Sequence, residues 1–99
     1  MFEDAIVRLL CETPFVTCAA RNSAYEQATK VKAEADEAMY AAMMKDDFNL
    51  IEECIDTIIA VAQILKRYEP TVVHKVAMHV IEKNARRGYH DVSMPENSD

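Results

Sequence analysis

Residues 45–67 read KDDFNLIEECIDTIIAVAQILKR and determine the architecture of the chain. The first three residues, Lys45 to Asp47, favour a turn, and Asp47 can cap the helix that follows. From Phe48 to Arg67, apolar residues recur at helical spacing over a surface wider than one neighbouring helix could cover. We therefore predict a central helix whose apolar surface packs against other helices or against a second subunit.

Three further helices are predicted on either side of this segment. A first helix of about ten residues ends before Pro14, because the residue before a proline disfavours helix. The longest helix follows, since the segment from about Thr17 to Lys45 contains neither Gly nor Pro. A last helix begins at Pro70 and ends near Gly88.

The apolar residues of these helices predict which sides are buried. The predicted buried stripe of the longest helix consists of Val31, Ala35, Ala38 and Ala42. The predicted buried face of the last helix consists of Val72, Val73, Val76, Ala77, Val80 and Ile81. We expect an all-α, antiparallel helical bundle of about four helices, with a single domain over residues 1–88 and a polar tail over residues 89–99.

The composition excludes several classes of protein. Hydrophobic residues make up 51% and charged residues 28% of the 99, so a disordered chain is excluded. One Gly and three Pro supply too few turns for an all-β fold. A domain this small buries only part of its surface when it folds alone, so we expect oligomerisation to complete the bundle.

Charge and cysteine content restrict the partners and the compartment. The net charge of −6 does not suit binding to a nucleic-acid backbone, which requires Lys and Arg. The chain has three cysteines, Cys11, Cys18 and Cys54, and this odd number without C-x-x-C spacing favours the reducing cytoplasm. Cys54 is predicted to be a buried small apolar residue. No apolar run reaches the length of a membrane span, so no membrane partner is expected.

Two pairs of carboxylates indicate a metal site. Glu34 and Glu37 are spaced i, i+3, as are Glu53 and Asp56, so each pair lies on one side of its helix. The turn near residue 45 is equidistant from both pairs, and an antiparallel hairpin folded there would bring all four acids together. Such a group repels itself unless a cation is bound, and its hard oxygen ligands suit Mg²⁺ or Mn²⁺.

Three segments resemble a known family. Residues 30–42, KVKAEADEAMYAA, resemble the first conserved block of the all-α nucleotide pyrophosphohydrolases, the MazG-like superfamily that also contains phosphoribosyl-ATP pyrophosphatase. Residues 52–59, EECIDTII, are similar to its second block, and residues 83–89, KNARRGY, resemble its basic ending. The chain departs from the family at Ala33, where members often have a second acid.

This resemblance implies hydrolysis of a nucleotide between its α and β phosphates by a Mg²⁺-dependent enzyme that is a homodimer or homotetramer. It implies a set of catalytic, metal-holding acids: Glu34, Glu37, Glu53 and Asp56. It further implies a set of substrate-binding residues: Lys30, Lys83, Asn84, Arg87 and Tyr89. The alternatives are a phosphoribosyl-ATP pyrophosphatase-like enzyme, a nucleotide-binding module without turnover, and a structural interaction protein whose acids form only a solvated surface.

Overall fold

The computed structural model describes residues 2–12 and 21–88, which form four α-helices and no strand. The helices are α1 (Phe2–Glu12), α2 (Ala24–Met43), α3 (Asp47–Leu65) and α4 (Pro70–Arg86). The chain divides into two compact units, Met1–Tyr68 with α1 to α3 and Glu69–Asp99 with α4. The predicted all-α class is confirmed. The single domain over residues 1–88 stays a prediction, and the tail over residues 89–99 lies outside the described residues.

Helices α2 and α3 form an antiparallel hairpin around the predicted turn. Lys45 has a positive φ of 56°, and its N–H donates to the carbonyl of Ala42 at 3.1 Å. The N–H of Asp46 donates to the carbonyl of Ala41 at 3.0 Å, so the two bonds close α2 in a Schellman motif. This ending reverses the chain within three residues, which aligns the two helices side by side.

The capping residue of α3 is Asp46, so the predicted cap at Asp47 is wrong. Asp46 has non-helical backbone angles, and its carboxylate accepts the N–H of Asn49 at 3.1 Å. Asp47 is already the first residue of the helix, where its negative charge interacts favourably with the positive end of the helix dipole.

Helix α2 begins at Ala24, later than the predicted start near Thr17. Ser23 and Glu26 form a capping box, in which the Ser23 hydroxyl accepts the Glu26 N–H at 3.0 Å and the Glu26 carboxylate accepts the Ser23 N–H at 2.7 Å. The bond from the Ser23 backbone lowers the pKa of Glu26. The S-x-x-E signature of this start is present in the sequence, whereas the absence of Gly and Pro only permits a helix.

The side of α2 that faces α3 is rotated from the predicted stripe and shares only Val31 and Ala38 with it. Ala35 and Ala42 are exposed, whereas Gln27 and Ala41 are buried. The Gln27 side-chain amide donates to the carbonyl of Ala60 on α3 at 3.3 Å. The inward line of α2 is therefore Gln27, Val31, Glu34, Ala38 and Ala41. This rotation of α2 about its own axis has two physical causes. The small side chains of Ala41 and Ala60 permit close helix packing, and the hydrogen bond of Gln27 favours the orientation that turns its amide toward α3.

The wide apolar surface of α3 is covered only in part. Helix α1 contacts α3, and Ala60 and Ala62 are buried. Near the start of α3, Phe48, Ile51 and Ile55 are 74%, 60% and 38% exposed. Cys54 is exposed as well, so its predicted burial is wrong, since no described element covers that side of the helix.

Helix α4 has no buried residue, which contradicts its predicted buried face. Only Val73 of the six predicted apolar residues is half-buried, and the others are exposed. Among the described residues of its unit, 69–88, no second element covers an apolar side of this helix. None of the helices in the described ranges is long and apolar enough to cross a membrane.

Candidate metal centre

Three of the four predicted acids converge between α2 and α3. Glu34 and Glu37 of α2 and Glu53 of α3 each place one carboxylate oxygen within 4.8 Å of the others. Glu34 belongs to the inward line of α2, and Glu53 is half-buried on the facing side of α3. The antiparallel register therefore brings both helices' acids to the same height, as the symmetry about residue 45 predicts.

Asp56 lies outside this group of three. It is exposed and follows Glu53 by about one turn, and its side chain is one methylene shorter than that of Glu. Its charge nevertheless reaches Glu53, because it contributes to raising the pKa of that carboxyl. The predicted group of four is thus a group of three with a fourth acid beside it.

The surroundings of Glu53 disfavour the ionised form of its carboxyl. A hydrogen bond with Glu37, partial burial, and the negative charges of Glu37, Asp56 and Glu34 together raise the pKa of Glu53 to about 7. The Oε2 atom of Glu53 is buried and has no hydrogen-bond partner among the described residues. Within the described part of the hairpin, no Lys or Arg forms an ion pair with the three acids, and the nearby Lys32 pairs with Asp36 at 3.0 Å.

The ligand set limits which ion would fit. The three side chains offer only carboxylate oxygens, which are hard ligands suited to Mg²⁺, Mn²⁺ or Ca²⁺ and unsuited to metals that prefer sulfur or imidazole. A site with few protein ligands leaves positions for water and for phosphate oxygens, which is the arrangement that Mg²⁺ favours. The residues present are therefore compatible with Mg²⁺, without being specific to it.

An open groove of about 340 Å³ adjoins the acids. Its lining consists of Asp36, Glu37, Tyr40, Asn49 and Glu53. The sequence-based prediction did not include Tyr40 and Asn49. Helical spacing could have identified them, since Tyr40 is one turn after Glu37 and Asn49 one turn before Glu53, both toward the turn of the hairpin.

Of the described residues predicted to bind substrate, none belongs to the groove lining. Lys30 is an exposed residue of α2, one turn before Glu34. Lys83 and Asn84 are half-buried on α4, and exposed Arg87 follows its last residue, so these three belong to the second unit. Tyr89 lies outside the described residues.

No protein-family model, curated protein or solved structure matches this chain.

Proposed function

We propose that the protein is a Mg²⁺-dependent nucleotide pyrophosphohydrolase of the cytoplasm, which cleaves a nucleoside triphosphate or related nucleotide to a monophosphate and pyrophosphate. The observation that supports this most is the convergence of Glu34, Glu37 and Glu53 within 4.8 Å across the hairpin. These are the acids of the two motifs that resemble the MazG-like superfamily. The three acids lack cationic partners within the hairpin, and two of them, Glu37 and Glu53, line an open groove that a metal-bound phosphate compound could enter.

The three glutamates would hold the ion. Bound Mg²⁺ offsets negative charge on phosphate oxygens and lowers the pKa of a bound water, which are standard contributions of metal ions to such displacements. Asp56, whose charge reaches Glu53, would add a fourth carboxylate beside the ion, and one of the four carboxylates would orient the attacking water and accept its proton. Lys30 would provide positive charge one turn beyond Glu34. Substrate contacts by Lys83, Asn84, Arg87 and Tyr89 are implied by the family resemblance alone.

A panel of nucleotides assayed for products with Mg²⁺ and with EDTA tests this function. The panel includes the common ribo- and deoxyribonucleoside triphosphates and phosphoribosyl-ATP, which represents the biosynthetic alternative. We expect equal amounts of monophosphate and pyrophosphate from the preferred nucleotide, complete loss of activity with EDTA, and recovery with Mg²⁺ or Mn²⁺. Release of orthophosphate, or activity that persists in EDTA, would contradict the proposal.

The same panel separates the non-catalytic alternatives. The alternative of binding without turnover is supported by Ala33, which stands where the family motif often has an acid. This alternative predicts thermal stabilisation by Mg²⁺ and nucleotide without pyrophosphate release. A purely structural protein predicts neither stabilisation nor product.

We propose that a second copy of the chain covers the exposed apolar surface of α3, to give a homodimer or homotetramer. Phe48, Ile51 and Ile55 recur at helical spacing, on the opposite side of α3 from Glu53. A contiguous exposed patch of this kind commonly marks an interface. A contact there would leave the acid group accessible.

Light scattering tests this assembly. We expect a mass of two or four times 11.2 kDa for the native chain, and monomers for Ile51→Glu, because a charge in the interface costs several kcal/mol. Ala28→Glu adds the same charge to an exposed position of α2 and serves as the control. Unchanged mass in the Ile51→Glu variant, with helical circular dichroism retained, would place the interface elsewhere.

A further inference from the structure

The groove beside the acids has two chemically different ends. Asp36, Glu37 and Glu53 line one end, where negative charge accumulates. Tyr40 and Asn49 line the other, nearer the turn of the hairpin, and are uncharged. The two residues come from different helices, but the antiparallel arrangement places both one turn from an acid of the group and on the same side of it.

Tyr40 presents an aromatic ring at this neutral end. It lies in the last turn of α2 and is 62% exposed, so its ring face is accessible to a ligand in the groove. An aromatic ring stacks on any nucleobase, because every base has a π-face. The ring therefore provides a binding surface that does not depend on charge.

Asn49 adds hydrogen-bonding groups beside the ring. Its side-chain amide has both a donor and an acceptor, the combination that pairs with the edge of a base. No side-chain hydrogen bond of Asn49 is formed with the described residues, whereas its backbone N–H is held by Asp46 at 3.1 Å in the cap of α3. The cap fixes the position of the residue and leaves the amide available.

We propose that Tyr40 and Asn49 bind the nucleobase, with Tyr40 stacking on it and Asn49 contacting its edge. This inference rests on the proposed function, since it requires phosphates at the acidic end of the groove. A nucleotide then lies along the groove with its charged end at the metal and its uncharged end toward the turn. Tyr40 supplies affinity for bases in general, and Asn49 supplies preference among them.

Binding titrations of the full chain with Mn²⁺ test this orientation. The probes are an α,β-methylene nucleoside triphosphate, which resists cleavage, and inorganic tripolyphosphate, which has no base. We expect Tyr40→Ala to weaken binding of the nucleotide analogue about tenfold and to leave tripolyphosphate binding unchanged. Tyr40→Phe keeps the ring and retains affinity, and Asn49→Ala alters the ranking of bases across a set of such analogues.

Tyr25→Ala is the matched control, because Tyr25 is an 82% exposed tyrosine at the other end of α2. It is expected to leave both affinities unchanged. If the native chain binds neither probe, the proposed function fails and this inference with it. If the native chain binds both, and Tyr40→Ala weakens both equally or neither, the inference alone is overturned. Mn²⁺ affinity measured without nucleotide confirms that each variant retains the acid group.

Discussion

Replacing Glu53 by Gln is expected to lower pyrophosphate release about 100-fold or more. Glu53 is the only member of the converging group that comes from α3, so its loss leaves both remaining ligands on one helix. Gln keeps the shape of the side chain but removes its charge. A metal ion supplies several kcal/mol of transition-state stabilisation, and each 1.36 kcal/mol corresponds to a factor of about ten in rate.

Glu52→Gln is the control for this experiment. Glu52 is the adjacent acid of the same helix, is exposed, and does not belong to the converging group or the groove lining. It removes the same charge from the chain and is expected to retain full activity. Steady-state rates measured over a range of Mg²⁺ concentrations show whether metal affinity is affected. Equal loss in both variants would mean that overall charge, and not the convergence at Glu53, determines the rate.

The convergence of the acids could be predicted because it depends on one turn and two helical spacings. The turn at Lys45 and Asp46 ends α2 and begins α3. Once the position of this turn is known, the register of the antiparallel hairpin follows. Register then determines which residues lie at the same height, so Glu34 and Glu37 are predicted to lie at the height of Glu53.

The rotation of α2 could not be predicted from its apolar pattern. Alanine covers many positions of this helix and contributes little apolar area at each, so the stripe has no sharply defined centre. A buried polar residue, Gln27, sets the orientation through its hydrogen bond to Ala60. The same rotation places Glu34 on the inward line.

The groove residues were missed for a different reason. Tyr40 lies within the family-like segment 30–42 but is not one of its acids, and Asn49 lies in the first turn of α3, outside any family-like segment. Their relevance arises only from their position beside acids on the neighbouring helix, which requires both the register and the rotation of the two helices.

The metal-free protein is expected to lose stability as the pH rises from about 4.5 through about 7. In the folded chain the pKa of Glu53 is raised from 4.5 to about 7, chiefly by its hydrogen bond with Glu37 and by burial. Between these values the folded state binds more protons than the unfolded state, so raising the pH favours unfolding. Above about pH 7 Glu53 is ionised in both states, and its effect on the free energy of unfolding is constant.

Thermal unfolding in EDTA at pH 5 and pH 8, with Glu53→Gln for comparison, isolates this contribution from other titrating groups. We expect Glu53→Gln to unfold at a higher temperature than the native chain at pH 8, and this difference to disappear at pH 5. Adding Mg²⁺ or Mn²⁺ at pH 8 should reverse the order, because metal binds the ionised carboxylates of the native chain and stabilises only the folded state. Two results would contradict the proposal that repulsion among the acids destabilises the chain until a metal binds. One is a native chain that gains no stability from either ion at pH 8, and the other is a variant with the same pH dependence as the native chain. The reversal distinguishes a cation site from a solvated acidic surface, since solvated acids neither destabilise the free chain nor select a divalent ion.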